Sequence, residues 1–174
     1  MSRSYFMITE RTGFSHWQKE DLPLAQLLWG DSQVTCYICA SGSFTPQEIR
    51  DRLAKEIENG DFAGVQYWPF FHRDSGELIG CCGLRPRSPH EYELGFHLRP
   101  QYWRQGYATE AAKAAIAYAF DTLNAQKLLA GHNPQNTASR NTLKKLGFTF
   151  IGEEFYAPTG LYHPSYELLN CSDR

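Results

Sequence analysis

The chain has 174 residues, 42% of them hydrophobic and 21% charged, with a net charge of -2. That composition fits a soluble globular protein, with enough apolar material for the core of a single domain spanning 1–174. The two signs of charge are interspersed, which argues against a nucleic-acid partner, and no apolar run approaches the ~18 residues of a membrane span.

In chain order, MSRSYFMITERTGF has no apolar signal-peptide core, so a cytoplasmic location is expected. SYFMITERTGFSHWQ reads as one extended segment, kinked near Gly13. KEDLPLAQLLWGD reads as a short helix, with Asp21 at the N-cap, Pro23 early and Gly30 at the end. TPQEIRDRLAKEIENG is a clearer helix. Thr45 and Glu48 form a capping box, Ile49, Leu53 and Ile57 fall on one stripe, and Gly60 closes it.

GVQYWPFFHRDSGELIGCCGLRP reads as a hairpin turning at RDSG, and Pro69 predicts an edge strand or a bulge. EYELGFHLRP alternates and reads as a strand ending at Pro100. GYATEAAKAAIAYAFDTL is a long helix, KLLAGHNP a strand, and NTASRNTLKKLGF a short helix stopped by Gly147. FTFIGEEFYA and PSYELLN are two closing strands. About four helices interleaved with strands predict an α/β (α+β) fold on a mixed sheet.

Five cysteines are an odd count, and their spacing is not that of a disulfide framework. Cys36 and Cys39 form a CxxC pair, but no second pair stands at zinc-ligand spacing. Cys81 and Cys82 suit a strand as small apolar residues. No metal site is expected.

PQYWRQGYATEAA joins the end of a strand to the start of a helix. The first N–H groups of a helix have no internal partner and carry partial positive charge. A glycine there lets a ligand approach the backbone, and Arg104 and Gln105 add donors. This is the makeup of a phosphate cradle, although the same residues would also serve a plain turn. The G-x-x-x-x-G-K-S/T and G-x-G-x-x-G patterns of other phosphate loops are absent.

ELGFHLRPQYWRQGYATEAA followed by NPQNTASRNTLKKLGF resembles the GNAT acetyltransferase superfamily. More narrowly, it is similar to the branch containing the ribosomal-protein N-terminal alanine acetyltransferases. The superfamily's pyrophosphate signature is Q/R-x-x-G-x-G/A; Gly106 and Ala108 match it, and Trp103 departs at the first place. The resemblance covers Glu91 to Phe148 well and the first eighty residues loosely. It implies a mostly antiparallel twisted sheet with a central, splayed parallel strand pair. It further implies acetyl-CoA as co-substrate. Phe96, His97 and Leu98 would lie along the pantetheine arm. The backbone of Arg104, Gln105, Gly106, Tyr107, Ala108 and Thr109 would hold the pyrophosphate, and Asn136 would bond the pantetheine from the far side.

For direct attack on the thioester the amine must be neutral, yet a lysine-like amine has a pKa of about 10.4. The departing thiolate also wants a proton, a free thiol having a pKa of about 8.5. The tyrosine that many superfamily members use as acid is replaced by Leu143. In the branch resembled here, a serine three residues after the asparagine takes that place, and Ser139 stands there; it could equally cap the helix backbone. Glu93 is the first candidate for the base, or an exposed strand residue. His132 is a second, or a polar residue satisfied at a strand end. Glu110 is expected to serve the positive helix end rather than catalysis.

Aromatics in EEFYAPTGLYHPSY could wall a groove for a small-molecule amine or a peptide N-terminus. The expected activity is N-acetyl transfer to such an amine. The alternative is a catalytically silent acyl-CoA-binding regulatory module. A monomer or a homodimer is compatible with either.

Overall fold

The computed structural model describes residues 2–171. One sheet of eight strands organises it, in the order β1-β2-β3-β4-β5-β6-β8-β7. The strands are β1 (Met7–Ile8), β2 (Thr12–Phe14), β3 (Tyr67–His72), β4 (Leu78–Ser88), β5 (Glu91–Leu98), β6 (Lys127–Gly131), β7 (Thr149–Tyr156) and β8 (Leu161–Leu169). All neighbours pair antiparallel except β5 and β6, which are parallel. Five α-helices decorate it: α1 (Leu22–Trp29), α2 (Ser32–Thr35), α3 (Pro46–Ala63), α4 (Tyr107–Ala117) and α5 (Thr137–Lys145).

The helices cover both faces. Ala111, Ala112 and Ala115 of α4 are wholly buried against Leu94 and Leu98 of β5 and Leu84 of β4. On the other face, Leu28 and Trp29 of α1 and Ile49 and Leu53 of α3 pack on Tyr67, Phe71, Leu78 and Cys81. Cys81 and Cys82 are both buried, one in each core, as strand alternation requires. Burial pushes the Cys81 thiol up to about 12, so it is an inert apolar group.

Several local expectations are corrected. The N-terminal segment is a hairpin, not one extended piece. The chain reverses at Thr9–Arg11, where Thr9 and Thr12 bond each other, and Gly13 lies in β2 beneath the Tyr5 ring. Pro69 is not on an edge strand, because β3 runs between β2 and β4. Its carbonyl accepts from Ser15 N–H, just past the end of β2, so its missing N–H falls where that ladder has already stopped. A bulge follows at Phe70/Phe71.

Asp21 precedes α1, but its carboxylate turns back to the Gln18 N–H and to Arg3 instead of capping that helix. The four-residue α2, capped by Asp31, was not legible in the sequence. The Thr45–Glu48 capping box forms, but α3 runs through Gly60 to Ala63. Gly64, at φ +71°, ends it.

Candidate active site

Between β5 and β6 the sheet opens. Their parallel ladder has three registered pairs, ending at Glu93↔Leu129, while β5 continues to Leu98. Past that point the strands part and form one wall of a cleft of about 1110 Å³. Arg99 N–H bonds Ile79 O on β4, so by alternation His97 and Gly95 also turn their backbone groups to β4. Phe96 and Leu98 turn theirs to the opening. The Leu98 carbonyl there accepts from the Trp103 indole N–H at 2.9 Å.

His97 therefore differs from its two neighbours. Its backbone belongs to the β4 ladder, and its ring Nδ1 accepts from the Trp29 indole at 3.3 Å on the α1 side. Burial, with Arg52 and Arg85 nearby, holds it well below the usual histidine range, so it is neutral.

At one end of the cleft stands the N-terminus of α4. Gly106 occupies the cap position at φ +80°, a left-handed conformation that favours glycine, and supplies no side chain to cap the helix. The first helical bond runs from Glu110 N–H to Gly106 O, so the N–H groups of Tyr107, Ala108 and Thr109 precede the ladder. Arg104 also has positive φ, at 59°, and its side chain lines the cleft. Gln105 does not line it; its side-chain amide donates to Gln101 O at 2.7 Å.

Arg11 carries no local signal in the sequence. Its Nη1 donates to Gln105 O at 3.0 Å, its guanidinium lies 4.0 Å from the centre of the Tyr107 ring, and its Nε pairs with Glu110 at 2.7 Å. Glu110 also accepts from Thr9 Oγ1 at 2.7 Å and Arg11 N–H at 2.9 Å. Glu110 is thus structural, tying the N-terminal hairpin to the mouth of α4. The residues involved lie about a hundred positions apart, beyond any local signal.

The candidate chemistry lines the same cleft. Glu93 lies half-buried on the α3 side of β5, accepting from Arg87 at 2.8 Å and from the Tyr67 hydroxyl at 3.3 Å. It is not simply an exposed strand residue. Glu91, on the same face, is taken up by Lys127 at 3.0 Å and Ser88 at 2.7 Å.

His132 is buried just past β6. Its Nδ1 is 2.7 Å from Asn133 O, a group that can only accept, so Nδ1 carries the proton. Nε2 then accepts from the Tyr166 hydroxyl at 3.1 Å. Burial keeps His132 below its ordinary range, so it is neutral and both ring nitrogens are engaged.

Asn136 caps α5, its Oδ1 accepting from Ser139 N–H at 3.1 Å. Its Nδ2 has no protein acceptor among the described residues. The capping task therefore falls to Asn136, and the Ser139 hydroxyl has no protein partner among the described residues. Leu143 is a buried core residue.

The remaining walls come from Gln33, Tyr37 and Ile38 at the α2 end and Tyr156 and His163 of the β7–β8 hairpin. The hairpin turn reaches that end through Ala40 N–H to Pro158 O at 2.8 Å. Cys36 and Cys39 are free thiols there. Among the described residues, no group of three or more metal-ligating side chains is assembled, and no helix is long and apolar enough to cross a membrane.

Known proteins match the chain in both sequence and fold. Residues 11–149 match the family model described as "Acetyltransferase (GNAT) domain". The chain is 35% identical over 118 residues to the uncharacterized N-acetyltransferase YnaD of Bacillus subtilis, covering 67% of this chain and 66% of that protein. A GNAT-family acetyltransferase structure from Bacillus anthracis superposes with a TM-score of 0.80 at 25% identity, covering 94% and 97% of the two chains. The fold is also shared with a ribosomal L7/L12 alpha-N-protein acetyltransferase solved with coenzyme A. There the TM-score is 0.80 at 15% identity, covering 98% and 100%.

Proposed function

Because the chain belongs to the GNAT acetyltransferase family, we propose that it transfers an acetyl group from acetyl-CoA to a primary amine, on a small molecule or a peptide N-terminus, by direct attack within one cleft. The observation that carries this reading is a juxtaposition. An uncapped helix N-terminus, the free edge of a parted strand, and Glu93, Asn136 and Ser139 all line one continuous cleft.

The residues suit acetyl-CoA. The Tyr107, Ala108 and Thr109 N–H groups offer a pyrophosphate unpaired donors at the positive end of α4, with Arg104 beside them. Phe96 and Leu98 present backbone groups of the kind that bond an amide-bearing arm, and Asn136 Nδ2 offers a donor from α5. Bound acetyl-CoA would supply the thioester carbonyl that the amine attacks.

Glu93 is the group proposed to take the proton from the incoming ammonium, directly or through water. Arg87 and the Tyr67 hydroxyl orient it. His132 is less suited, since the Tyr166 hydroxyl already occupies its Nε2. Ser139 Oγ–H, with no protein acceptor among the described residues, is the donor proposed for the departing thiolate.

The test is product formation by mass spectrometry, with acetyl-CoA and a panel of amino acids, peptides, polyamines and aminoglycosides. Acetylation of one class supports the reading. Binding of acetyl-CoA without product from any amine would favour a silent acyl-CoA-binding module instead. Glu93→Gln is expected to lower the rate and flatten its rise with pH; an unchanged profile would remove Glu93 as the base.

A further inference from the structure

We propose that the acceptor is an amine that also carries a carboxylate, and that Arg52 and Arg85 on the α3 side of the cleft recognise it. This rests on the acetyltransferase reading above and names the substrate class of that same site.

A second cavity, of about 430 Å³, lies between α3 and β4 and shares Arg52, Arg85 and Pro86 with the main cleft. Its other charges are already engaged. Lys55 pairs with Glu58 at 2.8 Å, and Glu48 accepts from the Thr45 N–H at 2.6 Å. Glu56 is wholly buried and accepts from Tyr67 N–H at 2.8 Å and Arg85 Nη2 at 2.6 Å.

Arg52 has no carboxylate and no hydrogen-bond acceptor among the described residues. Its guanidinium lies against the faces of Trp29 and Phe44, at 5.0 and 5.5 Å. The Nε atoms of both Arg52 and Arg85 are buried without a partner. A buried guanidinium N–H without an acceptor is unfavourable, so each side chain gains from any acceptor that reaches the rest of its guanidinium.

The two arginines act on the same neighbourhood. Burial raises Tyr67 and Cys81 and lowers His97, and both arginines also act on all three groups. Glu56 takes up Arg85, and Arg52 is left without a carboxylate partner among the described residues. A ligand carboxylate would fill that place, and the planar guanidinium fork matches carboxylate geometry. A polyamine would bring a second cation against Arg52.

The amine end follows from the register. Arg85 and Glu93 are direct partners across β4 and β5. The Tyr67 ring lies 4.0 Å from the Arg85 guanidinium, and its hydroxyl donates to Glu93. Tyr67 thus touches both the proposed proton acceptor and the anion pocket, so one amino acid or one acidic peptide terminus is the class of ligand that would engage both.

The experiment measures kcat/KM on the full chain for matched amines with and without the carboxylate, in wild type and variants alike. The pairs are alanine with alaninamide, glutamate with glutamine, and peptides beginning Ala-Asp with Ala-Asn. The wild type is expected to prefer the acid by roughly 10- to 100-fold, the worth of a charge-assisted hydrogen bond. Arg52→Met should erase that preference, mainly through KM. Arg52→Lys, which keeps the stem between Trp29 and Phe44 and the charge, should retain part of it. Preference confined to free amino acids would identify a small-molecule acceptor, and preference confined to peptides a protein terminus; either supports the inference. Equal rates for acid and amide would overturn it, as would equal losses for both in Arg52→Met.

Calorimetry with glutamate separates this from the acetyltransferase reading. Glutamate binding that Arg52→Met removes, with no acetyl transfer to any amine, would keep the anion pocket and refute the reading beneath it.

Discussion

Gly106 offers the sharpest test of the cradle. At φ +80° an L-residue with a Cβ costs about 1–2 kcal/mol, more when β-branched. Space is not the obstacle. A Cβ at Gly106 would meet only Arg11 Nη2, at an ordinary 3.5 Å. Gly106→Ala should therefore lower the melting temperature by about 2–8 °C for a chain of this size. Relaxation of that strain would turn the adjacent N–H groups away from the cleft. Each lost charge-assisted bond should weaken acetyl-CoA binding roughly 10- to 100-fold. Gly106→Asn tolerates the left-handed region, so it should keep most of the affinity and stability, whereas Gly106→Val should lose both. Calorimetric titration with acetyl-CoA, paired with thermal melts, reads the two effects separately. Equal loss in Asn and Ala variants would refute the conformational argument, and normal affinity in the Val variant would refute the cradle itself.

Ser139→Ala should reduce turnover while leaving acetyl-CoA affinity and melting temperature unchanged, because Asn136 rather than Ser139 caps α5; a lowered melting temperature with an unchanged rate would show a structural role. Burial opposes ionisation of Glu110, but the bonds from Thr9 and Arg11 outweigh it and hold the carboxyl below its ordinary range. Its stabilisation is then full at neutral pH and lost as pH falls through that depressed value. The melting-temperature gap between wild type and Glu110→Gln should close in acid, and a gap constant with pH would contradict this. His97, His132 and His163 are all lowered chiefly by burial. The unfolded chain then binds more protons than the folded one as pH drops below about 6.5, so stability should decline from there. A denaturation series flat between neutral pH and the carboxylate range would rule that out.

Local patterns in the sequence determined much of this protein. The Thr45–Glu48 box, the RDSG turn, the alternation of β5 and the alanine-rich α4 are set by neighbours within one or two turns, so they are readable without a fold. The strand, glycine and helix around Gly106 were likewise readable, because a helix N-terminus carries its donors wherever it is placed. Weaker local signals misled where long-range packing decided. Pro69 sits inside the sheet because β2 is short, and Gly60 stays helical until Gly64 supplies the left-handed end.

The identity of the site's supporting groups was set only by tertiary structure. Glu93 becomes an oriented carboxylate through Tyr67 and Arg87, and His132 loses its free nitrogen to Tyr166. Arg11 reaches α4 from the first hairpin, and Arg52 and Arg85 meet from a helix and a strand. Backbone chemistry is inherited from local conformation, but hydrogen-bond partners and charge balance depend on which distant side chains the sheet brings together. That is why the proposed cradle could be read from thirteen residues and the proposed acceptor pocket could not.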